Sequence, residues 1–199
     1  MKLSRSEVSP QFVDLFLKTI GLSDDEFDIV LTHFSKEYLP KKFFFLKEGQ
    51  ISDRGAYLNK GCIRNYTVDC NGGEHILHFA FEDWMVGNLE SLYTGTPSNF
   101  NIQALEDCEL FCFSKQSMDT LEAQFPKYRE WHLEKQRKSH HASIKRLSEV
   151  KTLSVEERYL NLIEKHPHIF QRVPLQYIAS FLDIEPPSLS RLRKRLLTK

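Results

Sequence analysis

The spacing of apolar residues changes twice along the chain, and each change predicts a different kind of secondary structure. In the first 40 residues the spacing is helical, as in FVDLFLKTI, and Ser23 followed by three acidic residues is typical of a helix start. We therefore predict short helices there. From Lys41 to Ser114 the apolar runs shorten to the length of strands, and from Ser117 the helical spacing returns.

The middle of the chain is predicted to be an antiparallel β domain. Its short apolar runs are separated by Gly, Asn, Asp or Pro, and Asn71-Gly72-Gly73 predicts a tight hairpin because Asn and Gly accept positive φ angles. Strands this short and evenly spaced favour a barrel or roll. The predicted strand regions are KKFFFLKEGQ, GAYLNKGCIRNYTVD, EHILHFAFED, NFNIQALED and CELFCFS.

The last third of the chain is predicted to be helical. Pro126 suits the first turn of a long polar helix that continues to about Leu147. Ser154 with Glu157 forms a capping box that opens another helix, which runs to about Lys165, and HPHIFQRVP then reads as a connector. All eight glycines lie at or before Gly95, so the turn-rich part and the helical part are separate.

Charge divides the chain at the same place. The 199 residues carry no formal net charge, but residues 1–126 have 11 Lys/Arg and 19 Asp/Glu, a net of −8, whereas residues 127–199 have 16 and 8, a net of +8. This division indicates a basic functional tail on an acidic body. We expect a cytoplasmic protein with reduced cysteines, because there is no signal-like or membrane-spanning apolar stretch and only four cysteines.

The segment IASFLDIEPPSLSRLRKRL, residues 178–196, has the pattern of a helix-turn-helix. Ala179 is the small residue that two closely crossing helices need, Asp183 occupies the turn and tolerates the left-handed conformation, and Pro186-Pro187 suits a helix start. The apolar positions that would pack the two helices together are Ile178, Ala179, Leu182, Ile184, Leu189 and Leu192.

The second of these helices is predicted to contact DNA. Five basic residues and no acidic one lie between Pro186 and Lys199, and serines and arginines on its outer face reach phosphates and base edges in a major groove. The alternative is a solvated amphipathic helix. The candidate DNA-binding residues are Ser188, Ser190, Arg191, Arg193, Lys194 and Arg195, and Lys199 is the fifth basic residue.

The order of a glycine-punctuated β region, a long helix and a terminal helix-turn-helix resembles the CRP/FNR family of bacterial transcription regulators. The resemblance rests on EGQISDRGAYLNKGCIRNYTVDCNGGEHILHF, WMVGNLESLYTGTPSNFNIQALEDCELF and YIASFLDIEPPSLSRLRKRL. It implies an α+β fold with an N-terminal antiparallel β-roll of the double-stranded β-helix or jelly-roll type (1–125), a dimerisation helix (126–150) and a helix-turn-helix domain of the winged-helix kind (151–199). It also implies a homodimer on a palindromic duplex DNA site, a small effector, and RNA polymerase as a partner.

On the long helix the resemblance implies a dimer interface whose residues are mostly polar. Either the dimer is held partly elsewhere, or the seam is marginal and responds to conditions such as histidine protonation, or it is an ordinary wet interface. The expected interface stripe is His132, Gln136, His140, Ser143 and Leu147, spaced four, four, three and four.

The resemblance fails where cyclic-AMP-binding members hold the nucleotide. They use Gly-Glu-Leu and, eleven residues after its Gly, an Arg followed by Ser or Thr, whereas this chain has Gly87-Asn88-Leu89 and Ser98-Asn99. Without the Glu and the Arg we expect no tight binding of cyclic AMP. The pocket then takes another effector or is filled by side chains such as Phe100. The candidate pocket residues are Gly87, Asn88, Leu89, Ser98, Asn99 and Ile144.

The recognition helix departs from the family as well. Pro186 and Pro187 stand where the best-known members carry their base-reading Arg and Glu, and Arg191 matches the arginine that the family retains. Readout then depends on Ser188, Ser190 and Arg191, so the recognised DNA sequence is expected to differ from the familiar one.

The residues disfavour an iron–sulfur centre, haem ligation and a metal-dependent enzyme. No cysteine precedes Cys62, which speaks against the family's iron–sulfur centre, and Cys108 and Cys112 share one strand face and read as buried thiols. His75 and His78 are three residues apart, which puts them on opposite strand faces and disfavours a cupin-like metal enzyme or haem ligation. A non-DNA-binding scaffold with a basic tail remains the other alternative.

Overall fold

The computed structural model describes residues 3–197, which divide into two compact units. The first unit contains the residues up to Asn65 together with Phe79–Gln136. The second unit contains Tyr66–His78 together with the residues from Arg137 onward. The boundaries of the predicted sensor, dimerisation and DNA-binding domains stay predictions.

The chain begins with short helices, as the spacing of its apolar residues predicts. After a 3-10 turn at Arg5–Glu7, α1 (Pro10–Asp14) continues as a π-helical segment, Leu15–Ile20. α2 (Asp24–Leu31) starts at Ser23, whose hydroxyl accepts a hydrogen bond from the backbone N–H of Glu26 while the Glu26 carboxylate accepts one from the Ser23 N–H. This capping box confirms the predicted helix start.

Two four-stranded sheets follow, in the orders β1-β8-β3-β6 and β2-β7-β4-β5. β8 pairs antiparallel with both β1 and β3. The turn between β4 and β5 is closed by hydrogen bonds between Asp69 and Gly73, and Gly72 has a φ of 83°, as the Asn-Gly-Gly sequence predicts. The strands are β1 (Ser35–Leu39), β2 (Phe44–Leu46), β3 (Arg54–Lys60), β4 (Ile63–Val68), β5 (Glu74–Ala80), β6 (Trp84–Val86), β7 (Asn101–Ala104) and β8 (Cys108–Ser114).

Three elements of this region differ from the sequence prediction. β1 lies within the first 40 residues, where we predicted only helices, and that prediction is wrong because pairing with β8 holds Ser35–Leu39 extended. β6 and the short helix α3 (Leu89–Thr94) lie between the predicted strand regions EHILHFAFED and NFNIQALED, where the sequence predicted no element. Tertiary pairing overrides local spacing in segments this short.

Two clusters of buried apolar residues lie within the first unit. One joins the N-terminal helices to β3, β8 and the helix α4 (Lys115–Gln124), and Phe12 is fully buried within it. The other contains residues from both sheets, among them Leu110, Cys108 and Cys112. Both cysteines are free and buried, which confirms the prediction of buried free thiols. Burial raises the pKa of Cys108 to about 11 and that of Cys112 to about 12, so neither is a reactive thiolate at neutral pH.

From Lys115 to Leu197 the only regular elements of the described chain are helices. The Ser154–Glu157 capping box that opens the helix after the long one is present, as predicted. The segment predicted as a connector contains one short helix. The helices are α5 (Pro126–Thr152), α6 (Val155–Lys165), α7 (Ile169–Arg172), α8 (Leu175–Phe181) and α9 (Pro186–Leu197). Within the described residues, no helix is both long enough and apolar enough to span a membrane.

Candidate nucleic-acid interface and effector pocket

α8 and α9 are joined by a tight turn at Asp183. Asp183 has a φ of 55°, so the prediction of a left-handed aspartate is confirmed. The N–H of Ile184 donates to the Ala179 carbonyl (3.1 Å) and the N–H of Asp183 donates to the Ser180 carbonyl (3.0 Å). These are the two bonds of a Schellman motif, which ends a helix and turns the chain sharply.

The turn brings the predicted apolar positions of the two helices together. Ile178, Ala179 and Leu189 are fully buried, Leu182 and Leu192 nearly so, and Ile184 is half-buried. α9 begins at Pro186, as predicted, where a missing N–H costs little. One face of α9 is therefore buried within the second unit, and the opposite face is exposed.

The candidate DNA-binding residues divide between these two faces. Ser190, Arg191, Lys194 and Arg195 are exposed, whereas Ser188 and Arg193 are half-buried. The guanidinium of Arg193 lies 4.1 Å from the centroid of the Phe170 ring. Other contacts of the set include a hydrogen bond from Arg191 Nη2 to Ser188 Oγ (3.2 Å), one from Ser190 Oγ to the Pro186 carbonyl (3.1 Å), and an ion pair between Arg195 and Glu156 (2.7 Å).

Two of the predicted DNA-contacting side chains thus make contacts within the second unit. Arg193 stacks on α7 and Arg195 pairs with α6, which holds α9 in place. Arg191 and Lys194 are the exposed cations on the outward side of α9. Lys199, the remaining basic residue, lies outside the described residues.

The predicted effector pocket contains a closed network of polar side chains. Asn88 caps α3, because its Oδ1 accepts a hydrogen bond from the Ser91 N–H (3.1 Å), and its Nδ2 donates to the Ser98 hydroxyl (2.9 Å). Ser98 Oγ donates to the Phe100 carbonyl (2.8 Å), and the N–H of Ser52 donates to the Ser91 hydroxyl (2.8 Å). Asn88, Ser91, Ser98 and Ser52 are all buried.

The two positions where cyclic-AMP-binding regulators carry Glu and Arg are therefore bonded to each other. The backbone at position 87 favours glycine, because its φ is 152° and a Cβ there would lie 3.3 Å from the Cα of Gly55. The buried polar groups of this loop thus have hydrogen-bond partners within the chain.

The other pocket candidates lie apart from this network. Leu89 and Asn99 are exposed, and Phe100 packs against the apolar cluster between the sheets. Ile144 belongs to α5 in the second unit, where 52% of it is exposed.

A cleft of about 420 Å³ in the first unit was missed by the sequence analysis. It is lined by Arg54, which pairs with Glu37 (3.2 Å) and Asp53 (3.3 Å), so its charge is largely balanced. No apolar or charge pattern in the sequence signals such a cleft, because its walls come from segments far apart in the chain.

The residues of the expected dimer stripe do not share one environment. His132 is 5% exposed, contacts Glu122 through Nδ1, and lies 3.2 Å through Nε2 from Gln136 Nε2. Gln136, His140, Ser143 and Leu147 are exposed. Large apolar residues that are also exposed on α5 are Leu133 (50%), Ile144 (52%), Leu147 (62%) and Val150 (37%).

His75 and His78, the candidate metal ligands, lie near other charged side chains. His75 Nε2 lies 2.7 Å from the carboxylate of Asp69, which lowers the pKa of Asp69 to about 2. His78 is partly buried near Arg146, and its pKa is lowered to about 4, first by burial and then by that positive charge. No group of three or more His, Cys, Asp and Glu side chains suited to a metal ion occurs within the described chain.

The comparison with protein families finds a match to one domain model. Residues 36–125 match the model of the cyclic nucleotide-binding domain. A comparison with curated protein sequences finds no match.

Solved structures extend the likeness beyond that domain. CLP of Xanthomonas campestris, described as a c-di-GMP-responsive global regulator, is 15% identical, with a TM-score of 0.71 over 88% of this chain and 92% of that chain. FixK2 of Bradyrhizobium japonicum is 12% identical, with a TM-score of 0.72 over 83% and 85%. The catabolite activator protein of Thermus thermophilus is 20% identical, with a TM-score of 0.55 over 96% and 87%. The domain match and the shared fold confirm the resemblance to the CRP/FNR family.

Proposed function

We propose that this protein is a homodimeric transcription regulator of the CRP/FNR type that binds a palindromic site in duplex DNA. The observation that carries the proposal is the α8–α9 pair, in which a Schellman turn at Asp183 buries one face of α9 and leaves Arg191 and Lys194 exposed on the other. A helix supported in this way, with no acidic residue along it, suits the major groove. The pair then acts as a helix-turn-helix.

We assign dimerisation to a different stripe of α5 from the one the family pattern suggested. Leu133, His140 and Leu147 follow each other at intervals of seven, and Ile144 lies four residues after His140. This is heptad spacing, and the three apolar members are each at least half exposed in the single chain. His132 is instead buried against Glu122, so its surface is already used.

We expect cyclic AMP to leave the protein unchanged. The loop that would hold the ribose and phosphate carries Asn88 and Ser98, which are bonded to each other, and a buried phosphate would lack a cationic partner. Thermal unfolding followed with increasing cyclic AMP should give a constant Tm, since only a ligand that binds the folded state raises it. A saturable rise of Tm would contradict this prediction.

The DNA-binding role is tested by selecting genomic DNA fragments with the purified protein near physiological salt. A recovered palindrome should bind Arg191→Ala about 5-fold to 150-fold more weakly, the range of one lost base or phosphate contact. Arg129→Ala, which removes an equally exposed arginine from the first part of α5, is the matched control and should bind as the wild type does.

Two outcomes would count against this function. If the protein binds every duplex with the same affinity, the basic helix is a general polyanion contact and the scaffold reading is favoured. If Arg191→Ala and Arg129→Ala weaken binding equally, α9 is not the DNA-reading element.

A further inference from the structure

β5 is the last strand of its sheet, so one side of it lacks a partner strand. In a strand the backbone groups of alternate residues point to the same side, and an edge leaves those N–H and C=O groups to find other partners. Glu74 and Ile76 are two residues apart on β5 and therefore share one side.

The open side of β5 is occupied by side chains from the helices of the second unit. The N–H of Ile76 donates to the Ser180 hydroxyl (3.1 Å), and that hydroxyl donates to the Glu74 carbonyl (2.9 Å). Arg146 Nη2 donates to the Ile76 carbonyl (3.1 Å) and to the Phe181 carbonyl (3.2 Å). The Ser180 hydroxyl thus replaces a paired strand, and Arg146 joins the strand edge to the end of α8.

Arg146 is held firmly in this position. Its guanidinium lies 3.7 Å from the centroid of the Phe181 ring, while its two hydrogen bonds go to backbone oxygens. A lysine has no planar group that stacks on a ring while it donates to two carbonyls, so arginine is specific to this arrangement.

We propose that Ser180 and Arg146 clamp α8 to the edge of β5 and thereby fix the orientation of the DNA-facing helix α9. The inference rests on the proposed DNA-binding function. Ser180 and Phe181 lie in the last turn of α8, next to the turn at Asp183, so a restraint on them restrains α9 as well. The clamp leaves Arg191 and Lys194 exposed, so it orients the DNA-contacting face and does not cover it.

A restraint of this kind acts through preorganisation. Two recognition helices of a dimer must meet half-sites one DNA turn apart, and fixing their orientation in advance lowers the entropic cost of binding both. Binding to a single half-site has no such requirement. Loss of the clamp should therefore weaken binding to the palindrome and leave binding to an isolated half-site unchanged.

The test compares Ser180→Ala and Arg146→Lys with the wild type on three duplexes: the selected palindrome, one half-site, and the palindrome with a base pair inserted at its centre. Removing the clamp bonds should weaken binding to the palindrome by about 5-fold to 30-fold. It should also reduce the wild-type preference for the original spacing over the inserted one. Ser148→Ala, an exposed serine of α5, is the matched control.

Hydrogen exchange of the Ile76 amide measures the bond between Ile76 and Ser180 in the absence of DNA. Exchange should be faster in Ser180→Ala than in the wild type or Ser148→Ala, because the hydroxyl that accepts this N–H is gone. If exchange accelerates while the variants bind all three duplexes as the wild type does, the bonds exist and do not orient α9, and the proposal is overturned.

The remaining outcomes are equally decisive. Equal weakening on the palindrome and the half-site would mean that the clamp affects the contacts of α9 itself, contrary to the proposal. If the wild type binds no duplex selectively, the proposed function fails and the role of the clamp in DNA binding fails with it, whatever the exchange rates are.

Discussion

Replacing Phe12 with alanine should lower the free energy of unfolding by about 3–5 kcal/mol, the usual effect of removing a fully buried phenylalanine. Phe12 has no exposed surface, and its ring centroid lies 4.8 Å from that of Tyr57, 4.9 Å from that of Phe111 and 5.3 Å from that of Phe34. It therefore connects the N-terminal helices to β3 and β8 through aromatic edges. Few other residues have so many ring partners in this core.

The measurement is equilibrium denaturation in urea, with Phe43→Ala as the control because 62% of Phe43 is exposed. The control should change stability by less than about 1 kcal/mol, since exposed sites tolerate truncation. A loss for Phe12→Ala no larger than that of the control would mean that the N-terminal helices do not depend on this ring.

Acid should destabilise the second unit between about pH 6.5 and pH 4, because His78 binds a proton more readily in the unfolded chain than in the folded one. The pKa of His78 is lowered to about 4, first by burial and then by the positive charge of Arg146, whose own pKa is lowered to about 10 mainly by burial. The unfolded chain takes up a proton near pH 6.5, but the folded chain does so only near pH 4. Stability is therefore complete above pH 6.5 and falls as the pH drops, by on the order of 3 kcal/mol at pH 4.

This effect is measured as the slope of unfolding free energy against pH in the wild type and in His78→Gln, which removes the titrating ring. In that range the pH dependence of the variant's unfolding free energy should correspond to uptake of about one proton fewer on unfolding. Burial also lowers the pKa of His166, so a smaller dependence should remain in the variant. Identical slopes in the two proteins would show that His78 is not the group that takes up the proton.

The parts of the fold that local chemistry controls were predictable from the sequence. Capping boxes at Ser23 and Ser154, the Asn-Gly-Gly turn and the left-handed Asp183 all follow from side chains that bond their own backbone or tolerate unusual φ angles. The loss of the nucleotide-binding Glu and Arg was equally readable, since it required only two positions at a known spacing.

The parts that tertiary pairing controls were not predictable. SKEYL is extended because β8 lies beside it, and His132 is buried because Glu122 faces it from α4. The bonding of Asn88 to Ser98 and the clamp at Ser180 depend on segments that meet only in the folded chain. A single sequence contains no signal for such pairs.

The bonded loop at Asn88 and Ser98 has a consequence for how a regulator of this design responds to the cell. Its buried polar groups bond to one another, so a solute that reshaped the loop would have to break these bonds. The amount of protein acts on the proposed homodimer without breaking any bond, because the paired fraction rises with total concentration. Occupancy of a DNA site would then follow synthesis and degradation of the protein and increase more steeply than its abundance.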